Sequence, residues 1–347
     1  MKVLVNKMNF LGDAVVFLPT LNAIAEMLPD ADIFLATTSV GKEIFGGRVP
    51  VSEYFVCDYH AIKKPHKHPL QFHNFLRALR RHSFDFSVFS FDEPSSIYLA
   101  SYLAHVPKRI GFASKIARFN SLLTDKLTLD MSKNVTAINF ELARFLSNDP
   151  SITPRRVEVY YDEGSVTRVE RLLKSLGIGT RGPFVVVHPF AKYEYRQWGI
   201  NNYLHVSDLI ERVLNIPVVF LLEREAPEVS KRARVASGLP LKDAACLLQR
   251  ACLFLGNNSG PMHLAAAMGT PTVTIHGPSS PQWEVYWRDR RHLKIVAQHL
   301  SCVPCESVAH VPTVCLNGNY HNGCMKEILV EAVFSAIKEA LAKDSTF

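Results

Sequence analysis

The apolar residues of the chain fall into short continuous runs that alternate with segments of helical spacing. In the first third, the runs that predict strands are KVLVN (2–6), ADIFLAT (31–37), FDFSVFSF (84–91) and KRIGFA (108–113). Helical spacing appears between them, at residues 14–28 and at SSIYLASYLA (95–104). This alternation of strand and helix predicts a mostly parallel sheet that is covered by helices.

A break follows a predicted helix at residues 135–146. The segment NDPSITPRRVEVYYDEG (148–164) carries two prolines and several charges, as a connection between domains does. The alternation then restarts, with predicted helices at 165–176 and 202–214 and predicted strands at FVVVH (184–188), PVVFLL (217–222), LFLG (253–256) and TVTIHG (272–277). Residues 326–342 place apolar side chains on one face and predict a closing helix.

The pattern therefore predicts an α/β protein with two Rossmann-like, doubly wound domains, at residues 1–155 and 156–325, followed by a C-terminal helix in 326–347. A chain of 347 residues, of which 48% are hydrophobic, is long enough for two cores. We expect the two domains to face a central cleft. Ligands of open α/β sheets bind beyond the carboxyl ends of the strands, so loops that follow strands are the places to search.

Composition narrows the partners and the compartment. No apolar run approaches the roughly 20 residues of a membrane-spanning helix, and Lys7, Asn9 and Asp13 interrupt the N-terminus before a signal-peptide core can form. We therefore expect a cytoplasmic protein. Lysines and arginines exceed acidic residues by seven, which indicates an anionic partner: nucleic acid, a membrane surface or a phosphorylated small molecule.

The first unusual loop is NKMNFLGDAVV (6–16), where Gly12 and Asp13 stand at the start of a helix. Aspartate is a favoured N-cap, so one interpretation is a helix cap that follows a flexible glycine. The other interpretation is a carboxylate at the cleft that accepts a proton from a substrate.

The second loop is HPFAKYEYRQWGINNY (188–203), which presents Lys192 and Arg196 close to Trp198. Cations beside a helix start suit a diphosphate, although ordinary solvated charges would give the same pattern. For Trp198, a packing anchor is the favoured interpretation over a ligand stack.

The third loop is NNSGPMHLAAAMGTP (257–271), whose proline and final glycine delimit a short helix at 260–268. Ser259 and Gly260 are small enough for a ligand to approach the free amide groups, and such a helix start attracts phosphate. His263 adds a donor in the first turn, or is a packed histidine. The motifs GxxxxGK[ST] and GxGxxG are missing, which disfavours a nucleoside triphosphatase and a nicotinamide dehydrogenase.

The chain has seven cysteines, and Cys57, Cys246 and Cys252 are typical of isolated core thiols in a reducing compartment. The other four cluster near the C-terminus, as Cys302, Cys305, Cys315 and Cys324. Two interpretations stay open for these four: a structural metal held by thiolates, or free thiols that pack a loop.

In this order and spacing, the segments LGDAVVFLPTLNAI, RQWGINNY, GNNSGPMHLAAAMGTPTVTIHGPSSP and CVPCESVAHVPTVC resemble glycosyltransferase family 9, the heptosyltransferases of lipopolysaccharide synthesis. The resemblance covers nearly the whole chain. It implies a GT-B architecture, with an N-terminal acceptor domain and a C-terminal nucleotide-sugar domain. It also implies inverting transfer of a heptose from ADP-heptose to the lipid A-linked inner core, with no metal and no other cofactor.

The resemblance also implies site residues. Asp13 matches the general base that takes the proton of the acceptor hydroxyl, and Gly12 beside it is expected to contact the acceptor. Arg196 matches the cation on the donor phosphates, with Lys192 as a helper. Ser259, Gly260 and His263 match the residues that hold the leaving diphosphate, and Asn258 is a further donor-binding residue. Among the acidic residues after PVVFLL, we expect Glu225 at the ribose, over Glu223 and Glu228.

Two positions depart from the family pattern. Most relatives carry Asp-Thr where this chain has Asn258-Ser259, and lysine where it has Arg196. Asparagine, serine and arginine can still bind phosphate. The alternatives are therefore a GT-B enzyme with a different nucleotide sugar and a non-catalytic nucleotide-sugar-binding protein.

The segment HAIKKPHKHPLQFHNFLRALRRH (60–82) concentrates positive charge in the N-terminal half, chiefly at Lys63, Lys64, Arg77, Arg80 and Arg81. One interpretation is a solvated basic helix face. In the other, these cations bind phosphates of the lipopolysaccharide acceptor and contact the inner membrane peripherally. Nucleic acid is disfavoured because no recognised binding motif accompanies the charge.

Overall fold

The computed structural model describes residues 1–113, 120–179, 182–223, 226–287, 291–297, 300–307, 312, 314–315, 317 and 322–343. The chain divides into two compact units, Met1–Tyr160 and Tyr161–Phe347. This division falls slightly beyond the predicted boundary between residues 155 and 156, inside the proline-containing connection.

The described part of the N-terminal unit contains six strands and six α-helices. The strands are β1 (Lys2–Lys7), β2 (Asp32–Thr37), β3 (Glu53–Val56), β4 (Phe86–Phe89), β5 (Lys108–Ala113) and β6 (Asp125–Thr128). The helices are α1 (Leu11–Met27), α2 (Ser39–Phe45), α3 (Tyr59–Lys63), α4 (Pro69–Leu79), α5 (Ser95–Leu103) and α6 (Val135–Ser147). They alternate as the sequence pattern predicts.

All strand pairs of this sheet are parallel, in the order β3-β2-β1-β4-β5-β6. The order reverses between β1 and β4, where Val3 pairs with Phe86. Central strands of such a sheet are covered on both faces, which explains why nearly every position of β1 and β4 is buried and most are apolar. The helix α4 buries Phe75, Leu76 and Leu79 in the core, so its basic side chains face solvent.

The C-terminal unit repeats the plan within its described residues. Its strands are β7 (Val185–His188), β8 (Val218–Leu222), β9 (Arg234–Ser237), β10 (Leu253–Asn257), β11 (Thr272–Ile275) and β12 (His292–Ile295). Its helices are α7 (Glu163–Ser175), α8 (Ile200–Leu209), α9 (Pro227–Ser230), α10 (Leu241–Arg250), α11 (Gly260–Ala267), α12 (Gly323–Lys326) and α13 (Val330–Lys343).

The second sheet is also parallel, in the order β12-β11-β10-β7-β8-β9, and its reversal lies between β7 and β10. A π-helical turn, Ile210–Leu214, extends α8. The last helix, α13, begins at Val330 and inserts Val333 and Ile337 into the core of this unit. The prediction of two doubly wound α/β domains is confirmed.

The strands that the apolar pattern did not predict are β3, β6, β9 and β12, which lie at the outer edges of the two sheets. Each contains at most one buried residue, as in Glu53–Val56 and His292–Ile295. An edge strand has a neighbour on one side and more contact with solvent, so its sequence does not form an apolar run.

None of the helices in the described ranges combines the length and the hydropathy that crossing a bilayer requires.

Candidate active site

Each sheet has a topological switch point between two adjacent central strands. The segments that follow these two strands continue to opposite faces of the sheet. In the N-terminal unit, the segments that follow β1 and β4 meet at this point. In the C-terminal unit, the segments that follow β7 and β10 meet there. The three unusual loops of the sequence all lie at these two places.

Asp13 lies in the first turn of α1, three residues after the extended N-cap residue Phe10. Its Oδ2 accepts a hydrogen bond from the backbone N–H of Phe10 at 3.2 Å. A carboxylate there is favoured by the free N–H groups and the dipole of the helix. The side chain stays partly exposed. Asp13 is therefore not the N-cap residue, and it remains accessible at the switch point.

Lys7, the last residue of β1, places its ammonium group beside Asp92, which follows β4. Lys7 Nζ lies 2.6 Å from Asp92 Oδ1, and the side-chain exposures are 1% and 18%. The amide of Asn9 donates to the other oxygen, Oδ2. Burial lowers the pKa of Lys7, but the carboxylates of Asp92 and Glu93 raise it more, so the ammonium stays charged.

Asp13 and Asp92 are held by consecutive residues of the segment after β1, because the backbone N–H of Phe10 donates to Asp13 Oδ2 at 3.2 Å and the Asn9 amide donates to Asp92 Oδ2. Burial and the charge of Asp92 raise the pKa of Asp13 to about 7, against the opposing effect of Lys7. Burial raises the pKa of Asp92, but the nearby charge of Lys7 lowers it, and the net pKa lies below the usual value of an aspartate. Near neutral pH, Asp92 is therefore ionised, whereas Asp13 can take up or release a proton.

Glu93 is the third carboxyl group near Lys7, and its side chain is fully buried. Met8 N donates to its Oε2 at 3.0 Å, and Ser90 Oγ lies 2.6 Å from its Oε1. Lys7 Nζ is farther away, at 3.8 Å. Burial is the main cause that raises the pKa of Glu93 to about 8. We call Lys7, Asp13, Ser90, Asp92 and Glu93 the Lys7 cluster.

Tyr59, at the start of α3, connects the Lys7 cluster to the basic segment. Its ring packs 4.8 Å from the ring of Phe10, centroid to centroid, and Lys63 Nζ lies 5.3 Å from the Tyr59 ring centroid. Burial and the charge of Asp92 raise the pKa of Tyr59 to about 12. Through the ring of Tyr59, Lys63 of the basic segment is therefore close to Phe10, the residue before α1.

The other expected acceptor cations are exposed on the surface of the N-terminal unit. Lys64 follows α3, Arg77 lies on α4, and Arg80 and Arg81 follow α4. Arg80 Nε donates to the carbonyl of Leu103 at 2.9 Å, so this side chain also holds α5. The expected residue Gly12 lies in the first turn of α1 and is partly exposed.

In the C-terminal unit, Asn257 ties the end of β10 to the loop that follows β7. Its Oδ1 accepts from Trp198 N at 3.2 Å and from the Tyr203 hydroxyl at 2.9 Å. Its Nδ2 donates to the carbonyl of Pro189 at 2.8 Å. Trp198 is itself buried and donates from Nε1 to the Ile328 carbonyl at 2.8 Å. Trp198 is therefore a packing anchor.

The helix α11 starts directly after this network, with Ser259 as N-cap and Gly260 and Pro261 in the first turn. The Ser259 hydroxyl is buried and makes no hydrogen bond with any residue that the structure describes. A buried hydroxyl without a partner is unfavourable, and it can be satisfied by a ligand that approaches the helix start.

Asn258 and His263 both turn toward the interior. Asn258 Nδ2 lies 3.1 Å from His276 Nδ1, and Thr274 Oγ1 lies 2.9 Å from His276 Nε2. The buried ring of His263 packs edge-on against Trp283, at 6.4 Å between centroids. Burial lowers the pKa of His263 to about 4 and that of His276 to about 3, so both rings are neutral at pH 7.

The loop after β7 brings Lys192 and Arg196 to the ring of Tyr193, each 5.4 Å from its centroid. Arg196 Nε also forms a 2.6 Å ion pair with Oε1 of the buried Glu306. The Tyr195 hydroxyl donates to the same oxygen at 2.7 Å. The expected phosphate ligand Arg196 is therefore held by a carboxylate from the cysteine-containing segment.

Glu225, the expected ribose ligand, lies outside the described residues, and its neighbour Glu223 is exposed. The cysteines are free thiols, including Cys302, Cys305, Cys315 and Cys324. Burial and the three other thiols raise the pKa of Cys324 to about 12. Within the described ranges, His, Cys, Asp and Glu side chains form no group of three or more that could hold a metal ion.

Sequence reasoning missed Lys7, Asp92, Glu93 and Glu306. A signal was present for the first three, because charged residues end or directly follow the apolar strands β1 and β4. Polar residues at the carboxyl ends of central parallel strands are candidates for a site. Glu306 carried no such signal, because its partner Arg196 is distant in the sequence.

Comparison with known proteins places this chain in a family. The model of glycosyltransferase family 9 (heptosyltransferase) matches residues 72–312. Lipopolysaccharide heptosyltransferase 3 of Escherichia coli is 22% identical over 294 residues, which cover 81% of this chain and 84% of that protein.

Solved structures agree on the fold. The glycosyl transferase family 9 protein from Veillonella parvula DSM 2008 aligns with a TM-score of 0.82 at 18% identity, over 99% of this chain and 98% of its own. The E. coli heptosyltransferase WaaC with ADP aligns with a TM-score of 0.68 at 16% identity, over the full length of both chains. The predicted GT-B fold is confirmed.

The Asn257 network generates a stability prediction. We expect Asn257→Leu to lower the free energy of unfolding by about 3 kcal/mol or more, because it leaves Trp198 N–H, the Tyr203 hydroxyl and the Pro189 carbonyl unpaired in the interior. Urea denaturation measures the loss. The matched control is Asn201→Leu on the exposed start of α8, which should change stability by less than about 0.5 kcal/mol. Equal losses in the two variants would show that the network contributes little.

Proposed function

The chain belongs to glycosyltransferase family 9 and is a glycosyltransferase, and on this premise we propose that it transfers a heptose from ADP-heptose to the inner core of lipopolysaccharide. Asp13 acts as the general base and the anomeric centre is inverted. The Lys7 cluster is the observation that carries the proposal, because it supplies a partly exposed carboxyl group whose pKa is about 7. Such a base can deprotonate a sugar hydroxyl near neutral pH.

The departing ADP needs stabilisation of its negative charge. The first N–H groups of α11 have no acceptor within the helix, and the Ser259 hydroxyl, which makes no hydrogen bond with a described residue, can turn toward a phosphate oxygen. Lys192 and Arg196 supply positive charge from the loop after β7. His263 is neutral and can donate one N–H. The ADP seen in the E. coli heptosyltransferase supports this choice of nucleotide.

Two donor residues have narrower proposed roles. We propose that Asn258 positions the start of α11, because its amide forms a hydrogen bond with the buried His276. Glu225 remains the proposed ribose ligand.

The acceptor side is assigned to the N-terminal unit. Lys63, Lys64, Arg77, Arg80 and Arg81 are exposed cations that can bind phosphates of the lipid A-linked core, and Gly12 lets the acceptor approach Asp13. The same charges attract an anionic bilayer, so we propose action on the cytoplasmic side with peripheral contact to the inner membrane.

The assignment of the base predicts the effect of Asp13→Ala. Turnover should fall by about two to four orders of magnitude, because the hydroxyl proton loses its acceptor, while affinity for ADP-heptose stays unchanged. ADP release with a core oligosaccharide measures turnover, and calorimetry measures donor affinity. Full turnover in Asp13→Ala would reject Asp13 as the base.

A donor screen tests the nucleotide sugar separately. ADP-, UDP- and GDP-sugars are compared by thermal shift, because only the true donor should stabilise the fold strongly. A mass increase of one sugar on the core oligosaccharide then demonstrates transfer. Tight binding of a donor without any mass increase would favour a non-catalytic binding protein.

The acceptor assignment predicts a charge effect. We expect the double variant Arg77→Ala/Arg81→Ala to raise KM for the core acceptor about threefold to tenfold at unchanged donor affinity, because two exposed charges each contribute up to about 1 kcal/mol. Arg80 is left intact since it binds the Leu103 carbonyl. The control is Arg171→Ala/Lys174→Ala, which removes two exposed charges of α7. The same rise in both double variants would mean that general charge, not this face, governs acceptor binding.

A further inference from the structure

The Lys7 cluster holds more carboxyl groups than it can keep ionised. Asp13, Asp92 and Glu93 all interact with Lys7. Among the described residues, the Lys7 ammonium supplies the one positive charge for these three carboxyl groups. With all three carboxyl groups ionised, the cluster would carry a net charge of −2, and one of the three, Glu93, is fully buried. Burial of unpaired charge is strongly unfavourable, so the cluster must retain protons near neutral pH.

The hydrogen bonds indicate which carboxyl group stays ionised. Asp92 faces donors on both oxygens: Lys7 Nζ at 2.6 Å and Ser90 Oγ at 2.9 Å from Oδ1, and the Asn9 amide at Oδ2. Ser90 has a single proton but lies between Asp92 and Glu93. A protonated Glu93 can donate to Ser90, which leaves the Ser90 proton for Asp92. Asp92 is thus the fixed anion of the cluster.

Asp13 is the neighbour of this fixed anion, since Phe10 N–H donates to Asp13 and the adjacent Asn9 donates to Asp92. An ionised Asp13 beside Asp92 places two negative charges next to each other, whereas a protonated Asp13 can donate a hydrogen bond to Asp92. The neighbouring titratable groups on the other elements are Tyr59 of α3 and Tyr98 of α5, and burial raises the pKa of both phenols, so they stay neutral. The state of Asp13 therefore depends mainly on burial, Asp92 and Lys7.

We infer that Asp92 is a positioning residue for Asp13, which it orients and whose protonated form it stabilises by accepting a hydrogen bond from it. This inference rests on the proposed role of Asp13. During transfer, the acceptor O–H bond breaks as a C–O bond forms at the anomeric carbon, and the bond from that carbon to ADP breaks with its electron pair on ADP. The acceptor proton goes to Asp13, which then donates it in the hydrogen bond to Asp92.

The test is a direct titration that does not require activity. Protein labelled with ¹³C at the aspartate carboxyl groups is titrated by NMR, and the Asp13 signal is identified by its loss in Asp13→Asn. In the wild type it should titrate near pH 7. In Asp92→Asn, which removes the neighbouring negative charge and leaves only the weaker, neutral amide oxygen as an acceptor, it should titrate at least about one pH unit lower.

Activity gives a second readout. Asp13 must be ionised to act, so turnover is lost as the pH falls through its pKa. Asp92→Asn should therefore move the acidic limb of the kcat profile to lower pH by the same amount and lower the plateau, because the base is weaker. A residue with a purely structural role would lower activity without moving the limb. Asp92→Ser repeats both measurements if Asp92→Asn does not fold.

The matched control is Asp243→Asn. Asp243 is a buried aspartate of α10 that is ion-paired with Arg168 at 2.7 Å, outside the Lys7 cluster. This variant should leave the Asp13 titration and the acidic limb unchanged. An Asp13 signal that titrates near pH 4 in the wild type, or that does not move in Asp92→Asn, would overturn the inference. Unreduced turnover in Asp13→Asn would instead reject the proposed base and leave the titration result intact.

Discussion

The reversal of strand order at the centre of each sheet is the constraint on which the rest of the structure depends. Parallel strands need crossovers of one hand, so the helices that follow β1 and β4 must cover opposite faces of the sheet. The carboxyl ends of these two strands are then left without a covering helix, and the same holds for β7 and β10. Polar side chains can gather at these ends without interrupting the apolar interior.

The two units use this opening differently. The N-terminal unit buries charge there: Lys7 lies among carboxyl groups, and the same burial that makes this arrangement costly raises the pKa of Asp13 to about 7. In the C-terminal unit, the end of β10 and the start of α11 present neutral groups, namely the amides of Asn257 and Asn258 and an uncharged His263, while the charged Lys192 and Arg196 lie on the loop after β7. Neutral donors and dipoles suit an anion that must arrive and leave.

The sequence predicted the strands that are covered on both faces of their sheet. Central strands such as β7 and β10 are buried at every position, and most of their residues are apolar, so the run is visible in the sequence. The edge strands β3, β6, β9 and β12 are half covered, and their residues are mixed. Their pairing depends on the neighbouring strand, which is contributed by a distant part of the chain.

The sequence by itself determined the two doubly wound domains, the family resemblance and the candidate base, because these depend on local periodicity and on residues that are close in the chain. Only the tertiary structure decided what surrounds Asp13. Lys7 meets Asp92 across the β1–β4 pairing, and Arg196 meets Glu306 across more than a hundred residues. The charge state of a carboxyl group depends on burial and on such neighbours, and neither is encoded within a short stretch of sequence.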